Sequence, residues 1–300
     1  MQREKPRQKN LPHKRNTTSK ENKTRIAEKQ GSIVKHMSGK IIGAHHTTTV
    51  KEAAALMIKN DVRRLPITNA GTQRLEGIVA AVDILDFLGG GIKYEIIRQD
   101  YGENFLKAVN CPIHKIMEEI QYLPQTAGKN EAVQIMVDKK TSCIPIVEDG
   151  ENLKVIGLVT ERDVLPEKES IGKTVEEAMV SDLISSSKGM MIGDAAKIMV
   201  RNRVRRLPVM EEEDLKGIVT ALDILSYLAK GQYKGVNARE NLSTRVQEVM
   251  EHEVKTLNPQ DDLGKVVELV KETGLGGFPV TRENRIQGIV TVTDVLKHAR

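Results

Sequence analysis

Tryptophan is absent from the 300 residues, and aromatic side chains of every kind make up only 3%. A chain so poor in rings offers no stacking platform of the sort that single-stranded nucleic acid uses. The only thiols are Cys111 and Cys143, in no metal-binding or redox spacing. They read as small hydrophobes of a reducing compartment, with a disulfide as the minor alternative. His45 and His46 are neighbours with no Cys or carboxylate pattern around them, so no metal is expected. No apolar run reaches the roughly 18 residues of a membrane span, and no charged-then-apolar leader opens the chain. The expectation is a soluble cytoplasmic protein without membrane contact. Gly-x-Ser-x-Gly, the P-loop, the zincin motif and any Cys/His nucleophile arrangement are missing as well, which leaves catalysis nothing to rest on.

What is present is repetition. The phrase Gly77-Ile78-Val79-Ala80-Ala81-Val82-Asp83-Ile84-Leu85 returns as Gly157 to Leu165, Gly217 to Leu225 and Gly288 to Leu296. Each copy is preceded by a Met (Met37, Met117, Met179, Met250) and by a Pro after an apolar residue (Pro66, Pro145, Pro208, Pro279), with Met-to-Pro separations of 29, 28, 29 and 29 residues. Such constancy marks one supersecondary unit, repeated because a single copy cannot bury its own apolar face.

In the first copy Val50, Ala53, Ala54, Met57 and Ile58 recur at helical spacing behind Thr49, a capping residue. Two short strands follow, 65–68 and 76–80, around the polar turn Asn69-Ala70-Gly71-Thr72, and a second helix starts near Asp83. The fold class is therefore α/β, built of four β-α-β-β-α units at 33–96, 113–169, 171–230 and 246–300. Long spacers after units one and three, against almost nothing between 166 and 171, pair unit one with two and unit three with four. The 39% apolar content suffices for packed cores. Residues 1–32 form a tail, and its first 29 residues carry ten Lys/Arg against three Glu, a net +7 that exceeds the +5 of the whole chain and leaves the rest slightly acidic. The tail is expected to be disordered. It serves either as a solubilising extension or as a non-specific contact to nucleic acid through phosphates.

Thr220 and Asp223, three apart at a strand-to-helix junction, suffice for a capping box. The same geometry has a second use: a helix N-terminus receives phosphate readily, and a carboxylate there can accept from both hydroxyls of a ribose. Ahead of the Pro, units one and three carry Arg63-Arg64 and Arg205-Arg206, where units two and four carry Ser142-Cys143 and Gly276-Gly277. Side chains alternate along a strand, so one Arg of each pair should face inward, where a guanidinium fork suits phosphate oxygens. Surface solvation is the other reading of these pairs.

The Met lead-in, the apolar-Pro-apolar strand and G-[IL]-V-[TA]-x-x-D-[IV]-L, four times in register, resemble the cystathionine-β-synthase (CBS) domain family over 33–300. Four units without a catalytic domain look most like the adenine-nucleotide-sensing γ subunits of AMP-activated protein kinases and their stand-alone prokaryotic relatives. The resemblance implies two two-unit modules packed into a disc, with clefts for adenosine ligands, here AMP, ADP or ATP, and a protein partner that hears of their occupancy. It also implies roles: Asp83, Asp163, Asp223 and Asp294 on the ribose; Thr160, Thr220 and Thr291 near the phosphate; Arg63 and Arg205 on the phosphate, with Arg64 and Arg206 beside them; and Ser185 and Thr256 in first strands lining the adenine pocket. Ala80 stands where unit one should have its Thr, and Ser142 and Gly276 where a basic residue is expected, so fewer than four ligands are anticipated. Without Trp, the adenine must lie between aliphatic side chains. An S-adenosylmethionine or methylthioadenosine receptor is the nearest rival, although neither ligand brings a phosphate for the arginines. Modules of this family commonly dimerise.

Overall fold

The computed structural model describes residues 31–167, 170–230, 235 and 237–299. The expected disorder and nucleic-acid contact of the basic tail fall, for residues 1–30, outside this set; at its end Ser32 is buried and bridged to Gly128. In unit one the strand Ala44–His45 lies parallel to Arg64–Thr68, which pairs antiparallel with Leu75–Ala80, Leu65 standing opposite Val79. The helix Val50–Lys59 starts at Thr49, whose hydroxyl accepts from Glu52 N (3.2 Å) while the Glu52 carboxylate accepts from Thr49 N (2.8 Å). Its buried face is Val50, Ala53, Ala54 and Met57, the stripe that the spacing marks. Units two and three repeat the plan with helices Lys129–Asp138 and Ile192–Asn202 and hairpins Cys143–Val147/Val155–Thr160 and Arg206–Glu211/Asp214–Thr220. Unit four has the helix Gly264–Thr273 and the hairpin Gly277–Arg282/Arg285–Thr291.

Two local departures have simple causes. The closing helix of unit two is a single 3-10 turn, Glu161–Val164, because Leu165 precedes Pro166 and takes the extended conformation (φ −55°, ψ 150°) that proline imposes on its neighbour. The first strand of unit four shrinks to one parallel bridge, Leu257 to Val280. The spacer after unit one, which carries no clear sequence period, forms the helices Tyr94–Tyr101 and Phe105–Val109 and buries Ile97 and Phe105.

The repeated Met and the repeated Gly explain each other. Met117 lies against Gly77, Met37 against Gly157, Met250 against Gly217 and Met179 against Gly288, so each lead-in crosses to the hairpin of its partner unit. Antiparallel bridges fix the crossings: Ile78 to Glu118, Ser38 to Leu158, Ile218 to Glu251 and Val180 to Ile289. Units one and two are joined in this way, as are three and four. The modules then share cores across their boundary. Helices of units one and three bury one apolar cluster that includes Phe87 and Phe105, and units two and four bury another around Phe278.

Asp262 ties the short join between units two and three to unit four. It accepts from Ile171 N (2.9 Å), Gly264 N (2.7 Å), Ser170 Oγ (2.9 Å) and Gly172 N (3.0 Å), and these donors, the Ile171 amide first, hold its carboxyl down at about 2. A carboxyl depressed on folding stabilises the fold above its unfolded pKa of about 3.9, and that contribution fades as the pH falls through the folded value. Asp262→Asn is therefore expected to lower stability at pH 6 and to flatten its decline between pH 4 and 2, as read from urea melts across that range.

Candidate functional site

All four Asp of the repeated phrase cap their helices with one carboxylate oxygen. Oδ2 of Asp163, Asp223 and Asp294 accepts from the backbone N of Thr160 (2.7 Å), Thr220 (2.7 Å) and Thr291 (3.0 Å), and from their hydroxyls at 2.7, 2.8 and 2.6 Å. Asp83 Oδ2 accepts from Ala80 N at 2.7 Å, with no hydroxyl to help. Capping and ligand binding are thus compatible, since the cap uses Oδ2 and leaves Oδ1. Among the described residues Oδ1 has no hydrogen-bond partner in Asp163 or Asp223; in Asp294 it meets Lys297 Nζ at 3.2 Å, and in Asp83 it meets Lys93 Nζ at 2.9 Å. Burial raises the Asp223 carboxyl above its ordinary value, and Glu251 nearby adds to the effect against the Thr220 hydrogen bonds.

The arginines converge where the two modules meet. Arg63, Arg64, Arg162, Arg205 and Arg206 line a cavity of about 210 Å³ together with Ser142, Thr160, Lys40 and Ile42. Arg64 and Arg205, from different modules, both donate to the Ser142 hydroxyl, Arg205 at 2.8 Å. Arg206 donates to the Gly277 carbonyl at 2.6 Å, and a Cβ on Gly276 or Gly277 would stand 3.2 or 2.9 Å from its guanidinium. The small residues of units two and four are therefore what admits the arginines of units one and three. Glu161 is the buried carboxylate among them; it pairs with Arg205 at 3.8 Å and accepts from the Thr293 hydroxyl. Glu161 and the exposed Asp61 do not balance five guanidiniums and the Lys40 ammonium. Burial first, and then the neighbouring arginines, lower Arg206 to about 9 and Arg205 to about 10; Arg162 is lowered as well, by burial and by Arg63. Guanidinium stays protonated at neutral pH, so the strain is carried as charge that an entering anion would relieve.

A second cavity of about 570 Å³ is lined by Thr291 and Asp294 of a helix end, by Ile184, Met199 and Val204, and by Arg64, Arg205 and Arg206. That volume lies within the usual range for small-molecule sites. Aliphatic side chains share its walls with the carboxylates of Asp83, Asp86, Glu161, Asp182 and Asp294 and with arginines and lysines, and Arg206 comes close to Thr291, since a Cβ on Gly277 would stand 2.9 Å from both. Asp83 and Asp86 border it from unit one. Arg63 reaches the Thr220 helix end together with Arg205. Asp163 stands behind Thr160 and does not line the smaller cavity.

Ser185 and Thr256 are placed differently from the expectation. Both are exposed and line neither cavity; Ile184, one residue earlier, faces the larger one, as Ile42 at the matching offset from Met37 faces the smaller. Alternation along an extended segment turns a one-residue slip into a change of face. Arg162 escaped the sequence reading although it stands inside the repeated phrase, where units one, three and four carry Val82, Leu222 and Thr293. That contrast was the available signal.

The CBS domain model matches residues 31–90, 113–169, 175–230 and 246–300. The chain belongs to the CBS domain family. Protein MJ1225 of Methanocaldococcus jannaschii is 39% identical over 268 residues, covering 86% of this CBS chain and 95% of the relative. Its crystal structure, described as that of a proposed archaeal homologue of g-AMPK, superposes with a TM-score of 0.83 at 37% identity, over 90% of this chain and 100% of the other. A 33.4 kDa protein encoded in a ribosomal RNA operon of Thermofilum pendens is 28% identical over 257 residues, 83% of this chain and 85% of its own. A Pyrococcus horikoshii structure shares the fold, with a TM-score of 0.56 at 17% identity over 88% of this chain and 98% of its own.

Proposed function

We propose that this CBS chain is a non-enzymatic cytoplasmic sensor that binds AMP, ADP or ATP and passes the occupancy on to a protein partner. One observation carries the reading: a single cavity is lined by Asp294 and Thr291 at a helix end, by the aliphatic side chains of Ile184, Met199 and Val204, and by Arg64, Arg205 and Arg206. A ribose fits the Asp294 carboxylate, an adenine the aliphatic side chains, and phosphates the guanidiniums. The description of MJ1225 as a proposed homologue of g-AMPK points the same way. S-Adenosylmethionine and methylthioadenosine satisfy the first two parts and leave the arginines unmatched, which disfavours them. Ligand would bridge residues of both modules, so its differential affinity for two module arrangements sets the size of any signal.

Asp294→Asn keeps the side-chain shape and removes the charge that would accept from the ribose. The affinity for AMP should fall about 10-fold, the worth of one hydrogen bond to a charged group, with circular-dichroism melts little changed. An unaltered calorimetric affinity in a folded variant would remove Asp294 from the site.

A further inference from the structure

Unit one is built differently from the other three at its Asp. The segment that follows it winds through a π-helical turn, Asp86–Gly90, and reverses at Gly91, where any Cβ would stand 2.8 Å from the Asp86 carboxylate and 2.9 Å from Val200. Asp86 Oδ1 accepts from Lys93 N at 2.8 Å and so fixes where that residue starts. Its side chain then runs back to Asp83. The Lys93 ammonium donates to Asp83 Oδ1 (2.9 Å) and to the Ile116 carbonyl (2.8 Å), and pairs with Glu118 Oε1 (2.6 Å). An ammonium has three donors, and here each has an acceptor. The side chain is 16% exposed, so this is an interior contact rather than a surface ion pair. Burial works against its charge, but Asp83 and Glu118 outweigh it and hold the ammonium above the usual lysine value.

The acceptors sit at telling positions. Glu118 follows Met117 as Ser38 follows Met37 and Val180 follows Met179, and Ser38 and Val180 line the two cavities. Lys93 therefore bridges the helix-end carboxylate and the partner's lead-in at the place where, in units two and four, the lead-in lines an open cavity. Unit one also has Ala80 where the other three units offer a hydroxyl. Asp83 does border the larger cavity, yet both of its oxygens are engaged, one by the cap and one by the mostly buried Lys93, whereas the lysine on Asp294 Oδ1, Lys297, is 44% exposed and among the described residues holds no second carboxylate.

The geometry points to Lys93 as a resident cation that closes the unit-one cleft, making Asp83 a structural residue joining units one and two rather than a ribose ligand. This deepens the nucleotide reading and rests on it for one consequence: ligands are confined to the other three units.

Two measurements on the full chain test it. In amine acetylation followed by peptide mass spectrometry, Lys93 of the ligand-free protein should react roughly 10-fold more slowly than the exposed Lys107, and saturating AMP should not speed it up. Equal rates, or release of Lys93 by AMP, would overturn the closure. In native mass spectrometry with AMP, Asp83→Asn should bind as many nucleotides as the wild type, whereas Asp294→Asn binds one fewer; loss of a nucleotide from Asp83→Asn would make Asp83 a ligand residue and overturn the inference. Should Asp83→Asn fail to fold, Lys93→Met, which keeps most of the aliphatic stem, takes its place: an unchanged count upholds the structural role of the pair, and a gained nucleotide shows a working ribose site that the lysine merely covers, against the structural assignment of Asp83. If the wild type binds no AMP the nucleotide reading fails, and the acetylation rates still decide whether Lys93 is held as described.

Discussion

Replacing Arg205 by alanine lowers the affinity for AMP and ATP by roughly 100-fold while leaving adenosine within a few-fold of the wild type, as read by calorimetry. The magnitude follows from truncating one partner of a buried charge pair, which typically costs 2–5 kcal/mol. The selectivity follows from chemistry, because Arg205 lines the larger cavity with a guanidinium suited to phosphate oxygens, which adenosine lacks. Stability should not suffer in proportion. The Arg205 cation is lowered to about 10 by burial and by Arg64, so the ligand-free fold carries it at a cost, and its loss relieves part of that cost. The melting temperature is expected to stay level or rise slightly. Equal losses for adenosine and AMP would mean that Arg205 only shapes the cavity.

Gly217→Ala destabilises the chain by about 3 kcal/mol, at the upper end of overpacking changes. The new Cβ would stand 2.6 Å from the Glu251 carbonyl oxygen and 3.0 Å from Met250 Sδ. The carbonyl accepts from Ile218 N at 2.9 Å, so backing away breaks the crossing that joins units three and four. Gly157→Ala is the comparison. Its nearest obstacle is Met37 Sδ at 2.5 Å, the end of a flexible side chain, with backbone no closer than Ser38 O at 3.1 Å. A thioether can swing aside, so this variant should lose clearly less in urea melts. Equal losses would show that the backbone crossing is not what the glycine protects.

The contrast between these glycines shows what the sequence could and could not disclose. Repetition was legible because each unit needs the same two contacts: a Met that crosses to the partner hairpin and a Gly that gives it room. Caps were legible because Thr or Asp before an apolar period is a local signal, as Thr49 and Thr220 illustrate. The convergence of Arg64 and Arg205 on Ser142 was not, since it joins residues 78 and 63 positions apart. The small residues Ser142 and Gly276 read as missing basic groups, and only their placement shows that they leave space for Arg64, Arg205 and Arg206. Lys93 was hidden for the same reason: its bonds to Asp83 and Ile116 depend on the path of a spacer with no period of its own. Ser185 is exposed and its neighbour Ile184 lines the larger cavity, because in an extended segment one residue is one face.

The most direct test of the central claim is a calorimetric comparison of AMP, adenosine and S-adenosylmethionine on the wild-type chain. If the guanidinium cluster reads phosphate, AMP binds at least about 10-fold more tightly than either of the others. Adenosine or S-adenosylmethionine binding as tightly as AMP would contradict the account, because the arginines would then contribute nothing to recognition.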